Sequence, residues 1–353
     1  ADDFRIQAGL PSFRFILQKG GCLRLVSHRG RPQGKKIPSL SLKPVARYLE
    51  RILKREVVFI RNPFEAKIME RHANDTKILL FENMRFWPGE EANDGEYAQA
   101  LAKWGDLYVN EAFAVSHRAH ASIAGLARAL PAFAGFSFEK EVHMLQKAIA
   151  HIVKPVVVIL GGAKTQAKLP FFTVSLERGY EVLVAGVLAN TILWNGSIAV
   201  GKSCVDEVLK DAFRNISQDT PRLHLPRDVV VARGLAAKPR ITDIKTISGN
   251  EAIYDIGPET AQYFISLLQR AKTIIWNGPL GVAENKKFSH GTVAIARALK
   301  NLDALKITGG GDSVALFKKN NLLDVFTHVS TGGGAMLAFL AGKKLPGIEA
   351  LKH

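Results

Sequence analysis

Short apolar runs alternate with amphipathic stretches along almost the whole chain, and that alternation constrains the fold more than any other feature. In the first half, "CLRLVS" (22–27), "VVFI" (57–60), "KILLFE" (77–82) and "LYVNEAF" (107–113) read as buried strands. Between them, 5–20, 41–55 and 90–105 carry helical periods. Ser41 is placed to cap the second of these, and Pro44 falls in its first turn, where a missing N–H costs little. The second half repeats the style, with strands predicted at 156–160, 181–186, 228–232, 273–278, 304–310 and 325–330. Strand and helix in strict alternation predict a parallel, doubly wound α/β sheet, because parallel neighbours need a crossover and a helix supplies it. A helical period over 138–155, ended by Pro155, separates the halves and marks the domain boundary. With 353 residues, two domains are expected.

Composition removes several function classes. No run of about 18 apolar residues occurs, so no membrane span is expected. The opening "ADDFRIQAGL" lacks the basic and apolar regions of a signal peptide. It also lacks a starting Met, which suggests a processed or truncated form. Cys22 and Cys204 are the only cysteines and form no C-x-x-C pair, which argues against a zinc or redox site and for a reducing, cytoplasmic location. The net charge of +16 points to anionic partners. No block of consecutive basic residues and no RNA-recognition pattern is present, so the expected partners are small molecules, with neither nucleic acid nor membrane.

In open α/β sheets ligands bind beyond the carboxyl ends of the strands, so the residues there carry the chemistry. After the first-half strands they are basic: His28, Arg29 and Arg31, then Arg85, then His117, Arg118 and His120. Guanidinium groups bond carboxylate and phosphate bidentately, and several at one edge suit a small polyanion. After the second-half strands they are glycine-rich: "GGAKTQAK" (161–168), "TGGGDS" (308–313) and "TGGGA" (331–335). Glycine lets the backbone approach phosphate, and a following helix aims free N–H groups at it. Lys164 and Lys168, four apart, would share a face if the helix has begun, and Asp312 is placed to hold Mg²⁺ beside a phosphate tail. "GGAKTQ" does not fit the dinucleotide pattern G-x-G-x-x-G, which disfavours a dehydrogenase.

"GSIAVGKS" (196–203) does match G-x-x-x-x-G-K-[ST]. A phosphate-binding loop of that kind needs a strand before it and a helix opening at its end. Here 187–195 reads as a helix, so the stretch is taken as a connection toward a second helix at "VDEVLKDAFRN".

These residues together resemble the phosphoglycerate kinase family. "SHRGRP", "SLKPVA", "ENMRFWPGEE", "VNEAFAVSHRAHAS", "ILGGAKTQAK", "LPRDVVVA", "DIGPET", "IIWNGPLGVAE", "TGGGDSVA", "HVSTGGGA" and "LPGIEAL" occur in the family's order along the chain. The resemblance implies two Rossmann-like αβα domains with parallel sheets: a 3-phosphoglycerate-binding domain at 1–140, a hinge helix at 141–154 and a nucleotide-binding domain at 155–338. It places a tail at 339–353 against the first domain. It implies a monomeric cytoplasmic enzyme of glycolysis, using Mg²⁺ with ATP or ADP, in which domain closure brings phosphoryl donor and acceptor together. Arg5, His28, Arg31, Arg85 and Arg118 fall on its substrate-binding positions. Arg5, Lys164, Gly310 and Gly311 fall on its catalytic ones. Gly162, Ala163, Lys164, Lys168, Gly186, Asn277, Pro279, Glu284, Gly309, Gly310, Gly311, Asp312 and Ser313 fall on nucleotide-binding positions, with Asp312 the metal ligand.

The sequence also departs from the family. Members begin with a strand of the type "RVDFNVP" that carries substrate contacts, whereas this chain opens at "DDFRI". A truncated or divergent, non-catalytic nucleotide- or anion-binding relative is therefore the alternative expectation. "TQA" replaces a common "VSD" between the two lysines, and Val187 stands where many relatives have glycine, beside the expected adenine pocket.

Overall fold

The computed structural model describes residues 3–72, 77–216 and 219–352. The chain divides into two compact units, Ala1–Val142 with Lys344–His353, and His143–Lys343. The division falls within the helix Phe136–Ala150.

The first unit holds β1 (Arg24–Leu25), β2 (Val57–Ile60), β3 (Ile78–Phe81), β4 (Tyr108–Asn110) and β5 (Ala132–Ala134). Every pairing is parallel, but the strands form two ladders, β1-β3-β2 and β4-β5. The predicted strand at 22–27 shrinks to two residues, Arg24 and Leu25, paired with Leu79 and Leu80 of β3. Strand β3 is buried throughout, and its side chains divide between two cores. Leu79 and Phe81 pack with Met84 and Trp104, while Leu80 packs with Leu42, Ala46 and Leu49 of the covering helix. That division is the signature of a sheet covered on both faces. The C-terminal segment adds Ala350 and Leu351 to the first core, and Gly347 N–H donates to the Ser116 carbonyl at 2.9 Å.

The second unit is a six-stranded parallel sheet with a smaller antiparallel sheet. The large sheet orders β6 (Val156–Leu160), β7 (Glu181–Val184), β8 (Leu223–His224), β12 (Thr273–Asn277), β13 (Leu305–Gly309) and β14 (His328–Ser330) as β14-β13-β12-β6-β7-β8. Its central strands are apolar on both faces, and Trp276, Phe264 and Phe317 are fully buried beside it. At about 1.5–3 kcal/mol for each large side chain removed from water, this core is the principal source of the unit's rigidity.

Several expectations need correction. "DVVVA" is β9 (Asp228–Ala232), but it lies outside the parallel sheet, centred between antiparallel β10 (Arg240–Asp243) and β11 (Ala252–Ile256). The alternation rule missed it because β9 to β11 follow one another with no helix between them. The helix expected at 90–105 is two, Pro88–Ala92 and Gly95–Ala102. Asn93 turns left-handed at φ 53°, and Asp94 caps the second helix by accepting the Tyr97 N–H at 2.7 Å. The helix at 41–55 spans Lys43–Leu53 with Leu42 as its cap residue; the Ser41 hydroxyl accepts the Lys43 N–H from one position farther out. The helix expected to be the hinge, at 141–154, runs Phe136–Ala150 and ends five residues before Pro155. The second helix expected after "GSIAVGKS" is instead two 3-10 turns, Glu207–Leu209 and Asp211–Phe213.

Candidate active site

In the first unit the basic residues are gathered by the turns that follow the strands. Arg85 sits on the 3-10 turn Met84–Phe86 directly after β3. Asn83 fixes that turn, donating to the carbonyls of Arg29 at 2.7 Å and Leu40 at 3.1 Å. Arg85 itself donates to the Gly30 carbonyl at 2.8 Å, so the "SHRGRP" loop and the end of β3 are one rigid piece. The Arg85 side chain is only 5% exposed, and its Nε finds just Glu91, at 3.4 Å. Burial, and then Arg118, push its pKa down, which shows how much positive charge is crowded here.

The histidines report the same crowding. Burial, followed by Arg85, His120, Arg5 and Arg118, lowers the His28 pKa to about 3. His117 and His120 are each lowered to about 4, by burial first and Arg118 or Arg85 next. Arg31 adds to the field on His117 and Arg85. The structure thus gathers Arg5, His28, Arg31, Arg85 and Arg118 into one positive field. His117 and His120, which belong to the strand-end pattern and not to the carried-over set, join them. Arg118 Nε donates to His117 Nε2 at 3.4 Å, which leaves the neutral imidazole's proton on Nδ1. That atom, His120 Nδ1 and Arg85 Nε are all buried without a hydrogen-bond partner. Of these, His117 Nδ1 and Arg85 Nε carry protons, and buried donors without a hydrogen bond beside excess positive charge are what a bound anion would satisfy.

Glu90 is one of the residues that sequence reasoning missed. Buried beneath the cluster, it accepts from the Ser122 N–H at 3.0 Å and hydroxyl at 2.6 Å, and lies 3.7 Å from His120 Nδ1. Burial raises its pKa despite both bonds. In the sequence it was one of two adjacent glutamates in "PGEE", and nothing there distinguishes it.

In the second unit the site is made of backbone. Strands β6, β12 and β13 run parallel and in register, with Asn277 opposite both Leu160 and Gly309. Their carboxyl ends therefore release three loops at one level. Asn277 donates to the Gly309 carbonyl at 2.7 Å, and the Gly161 N–H donates to the Asn277 carbonyl at 3.0 Å. The Ser313 hydroxyl accepts the Gly278 N–H at 3.0 Å. The loops touch so closely that a Cβ on Gly278 would lie 2.0 Å from the Gly161 oxygen. Gly310, at φ 109°, turns the chain from β13 into the helix Gly311–Lys319. No side chain caps that helix, so its first N–H groups remain available.

The lysines differ from the expectation that they share a helical face, because the helix starts only at Leu169. Lys164 is exposed and pairs with the exposed Asp312 at 3.5 Å. Lys168 is 4% exposed and bonds back to the Lys164 carbonyl at 3.1 Å. Burial, followed by repulsion from Lys164, lowers its pKa to about 8. Thr165, at the "TQA" departure, donates to the Asp206 carboxylate, whose own N–H donates to Thr191 at 2.9 Å. Asp206 thus fixes the lysine loop, a role the sequence did not signal.

Gly186 begins the helix Gly186–Asn195, and a Cβ there would lie 2.9 Å from the Gly162 nitrogen. Pro279 is buried in the turn after β12, while Glu284 is exposed farther along the same connection. Gly162 and Ala163 lie on the loop between β6 and Lys164, and Gly311 opens the helix that carries Asp312. "GSIAVGKS" joins a helix to an extended segment. Gly201, at φ 58°, passes the Glu251 carbonyl, and the Lys202 N–H donates to that oxygen at 2.7 Å. The Ser203 hydroxyl accepts the Ile253 N–H at 2.8 Å. These residues anchor the small sheet and form no phosphate loop.

A family model described as phosphoglycerate kinase matches residues 1–343. The chain is 42% identical to phosphoglycerate kinase of Moorella thermoacetica and 44% identical to that of Herpetosiphon aurantiacus, covering 99% of this chain and 91% of each relative. Among solved structures, phosphoglycerate kinase from Pyrococcus horikoshii OT3 matches with a TM-score of 0.87 at 30% identity, over 99% of this chain and 91% of that one. The enzyme from Coxiella burnetii matches with a TM-score of 0.77 at 36% identity, over 100% and 91%.

Proposed function

The chain belongs to the phosphoglycerate kinase family, and on that premise we propose how its two clusters divide the family's reaction, the reversible phosphoryl transfer between ATP with 3-phosphoglycerate and ADP with 1,3-bisphosphoglycerate. The first unit binds the glycerate: Arg31, Arg85, Arg118 and His28 hold its phosphate and carboxylate. The second unit binds the nucleotide. Its phosphates lie against Gly162–Lys164 and the amides that open the helix Gly311–Lys319, Lys168 and Ser313 support them, and Glu284 takes the ribose. The helix Phe136–Ala150 serves as the hinge, and the units close on their ligands before transfer.

The single observation that carries this reading is the junction of β6, β12 and β13. There one sheet edge presents two lysines, a carboxylate and an uncapped helix start at the same level. The chemistry asks little more. The glycerate carboxylate is ionised at neutral pH, so it attacks the terminal phosphorus without a general base. The bond to the leaving phosphate breaks, and the acyl phosphate and ADP form. Catalysis is alignment plus compensation of charge on the transferring oxygens, supplied by Lys164, Arg5 and the amides of Gly310 and Gly311.

Among the described residues no three carboxylate, histidine or cysteine side chains gather as a metal site. That suits Mg²⁺, which is commonly held by one or two carboxylates and the substrate's phosphates. Asp312 is the exposed carboxylate at the phosphate edge, and the ion, when bound there, neutralises phosphate charge. Its pairing with Lys164 would be exchanged for the metal on nucleotide binding. The reading includes a cytoplasmic monomer, since one chain carries both clusters; among the described residues no helix is long and apolar enough to cross a membrane.

A coupled assay of this chain with 3-phosphoglycerate and ATP tests the reading, and turnover dependent on Mg²⁺ is expected. Nucleotide binding without turnover would favour the non-catalytic relative instead.

A further inference from the structure

A cavity of about 630 Å³ lies in the first unit and shares no lining residue with the basic cluster described above. That volume is within the range of about 300–1,000 Å³ typical of small-molecule sites. Lys36, Lys43, Arg47 and Arg61 line it, from three different segments. Lys43 and Arg47 are one turn apart on the helix Lys43–Leu53, and Arg61 directly follows β2. Among the described residues none of the four makes an ion pair.

The only carboxylate in the lining is Glu82, and it is already committed. It accepts from the Ser41 hydroxyl at 2.7 Å and from the N–H groups of Leu42 at 2.8 Å and Asn83 at 2.7 Å. Glu82 already offsets the amino end of the helix Lys43–Leu53 through its bond from the Leu42 N–H, so the positive potential of the cavity comes from the four side chains. Between the charges the walls are apolar, with Phe59 and Phe86 among them.

We propose that this cavity binds an organic phosphate ester that carries a flat apolar or aromatic group. The phosphate dianion offsets the four cations, and the apolar group covers the wall around Phe59. The site is independent of the catalytic assignment, and its occupant is distinguished from a plain anion by the apolar contact.

Isothermal titration of the whole chain with 1-naphthyl phosphate, with 3-phosphoglycerate and ADP both saturating, reads this site alone. One further equivalent is expected to bind, more tightly than inorganic phosphate does. The double variant Lys43→Ala/Arg47→Ala should weaken it tenfold or more, and Arg61→Ala should weaken it severalfold, with turnover at saturating substrates unchanged in both. The proposal is overturned by the absence of that extra equivalent, by undiminished binding in the variants, or by inorganic phosphate binding as tightly as the ester.

Discussion

The two clusters proposed to bind anions, one in each unit, are of opposite construction. The first relies on side chains: guanidinium and imidazole groups, carried on turns, whose pKa values fall through burial first and mutual repulsion second. The second relies chiefly on main chain: glycine loops and a helix start, at the ends of strands in the middle of a six-stranded sheet, with Lys164 and Lys168 as its titratable additions. Side-chain charge is strong and adaptable, but it repels itself when no ligand is bound. Backbone dipoles are weaker singly, yet they are held in place by the sheet and have no proton to lose. The contrast suits a small, highly charged acceptor on one side and an extended phosphate tail on the other.

The largest expected effect tests where the transferring charge is met. Lys164→Ala should lower kcat by about 10²–10³, comparable with losing one preorganised donor to a transition-state oxygen. Because Lys164 and Asp312 are both exposed, its Tm should remain close to that of the parent chain. Unchanged turnover would remove the second unit's claim to the chemistry.

Next, Arg85→Ala should raise the KM for 3-phosphoglycerate by roughly tenfold to a hundredfold, the loss of one charge-assisted bond at about 1.5–3 kcal/mol. The Kd for ADP should not move. A shift in ADP affinity would mean that the two surfaces are not the separate devices described.

Titration separates the units again. Lys168, with its pKa near 8, must be protonated to serve a phosphate, so ADP affinity should fall as pH rises through about 8. Nucleotide binding near that pH should take up protons, visible as a buffer-dependent enthalpy. His117 and His120 of the first unit work in a lower window. They are neutral in the fold down to about 4, whereas the unfolded chain protonates them near 6.5. Their stability contribution is therefore complete above about 6.5 and is lost as pH falls toward 4. 3-Phosphoglycerate should shrink that loss, because by favouring the charged forms it raises the folded-state pKa values toward those of the unfolded chain. Identical pH profiles for the two ligands would break the contrast.

The smallest effect is expected from Lys202→Ala. Its backbone, not its side chain, makes the recorded contact, so turnover should be nearly unchanged. A loss like that of Lys164→Ala would restore the phosphate-loop reading of "GSIAVGKS".

Much of the second unit was legible because its strands are continuous apolar runs and its loops are spelled in glycine. "VVVIL" is β6 to the residue, and the turns after β6 and β13 stand where they were read. The antiparallel sheet was not legible in this way, since β9 looks like any buried strand until its partners are known. In the first unit the strand-end rule placed the basic residues at one edge, but not the bonds that fix them there. Arg85 is identified by its bond to Gly30, which is 55 residues away in sequence. Glu90 and Asp206 have no local signature at all, because what they do depends on Ser122 and Thr165 arriving beside them.

The contact between Gly161 and Gly278 has a consequence for how the molecule can change. With no room for a single carbon between them, the spacing of the phosphate loops equals the spacing of β6 and β12 themselves. A ligand with a longer or shorter reach cannot be accommodated by moving those loops without prising the sheet apart. If this half binds the nucleotide as proposed, retuning it for a different one must come from exposed positions beside these loops, such as Ala163, Gln166 and Glu284, while the floor keeps a fixed gauge.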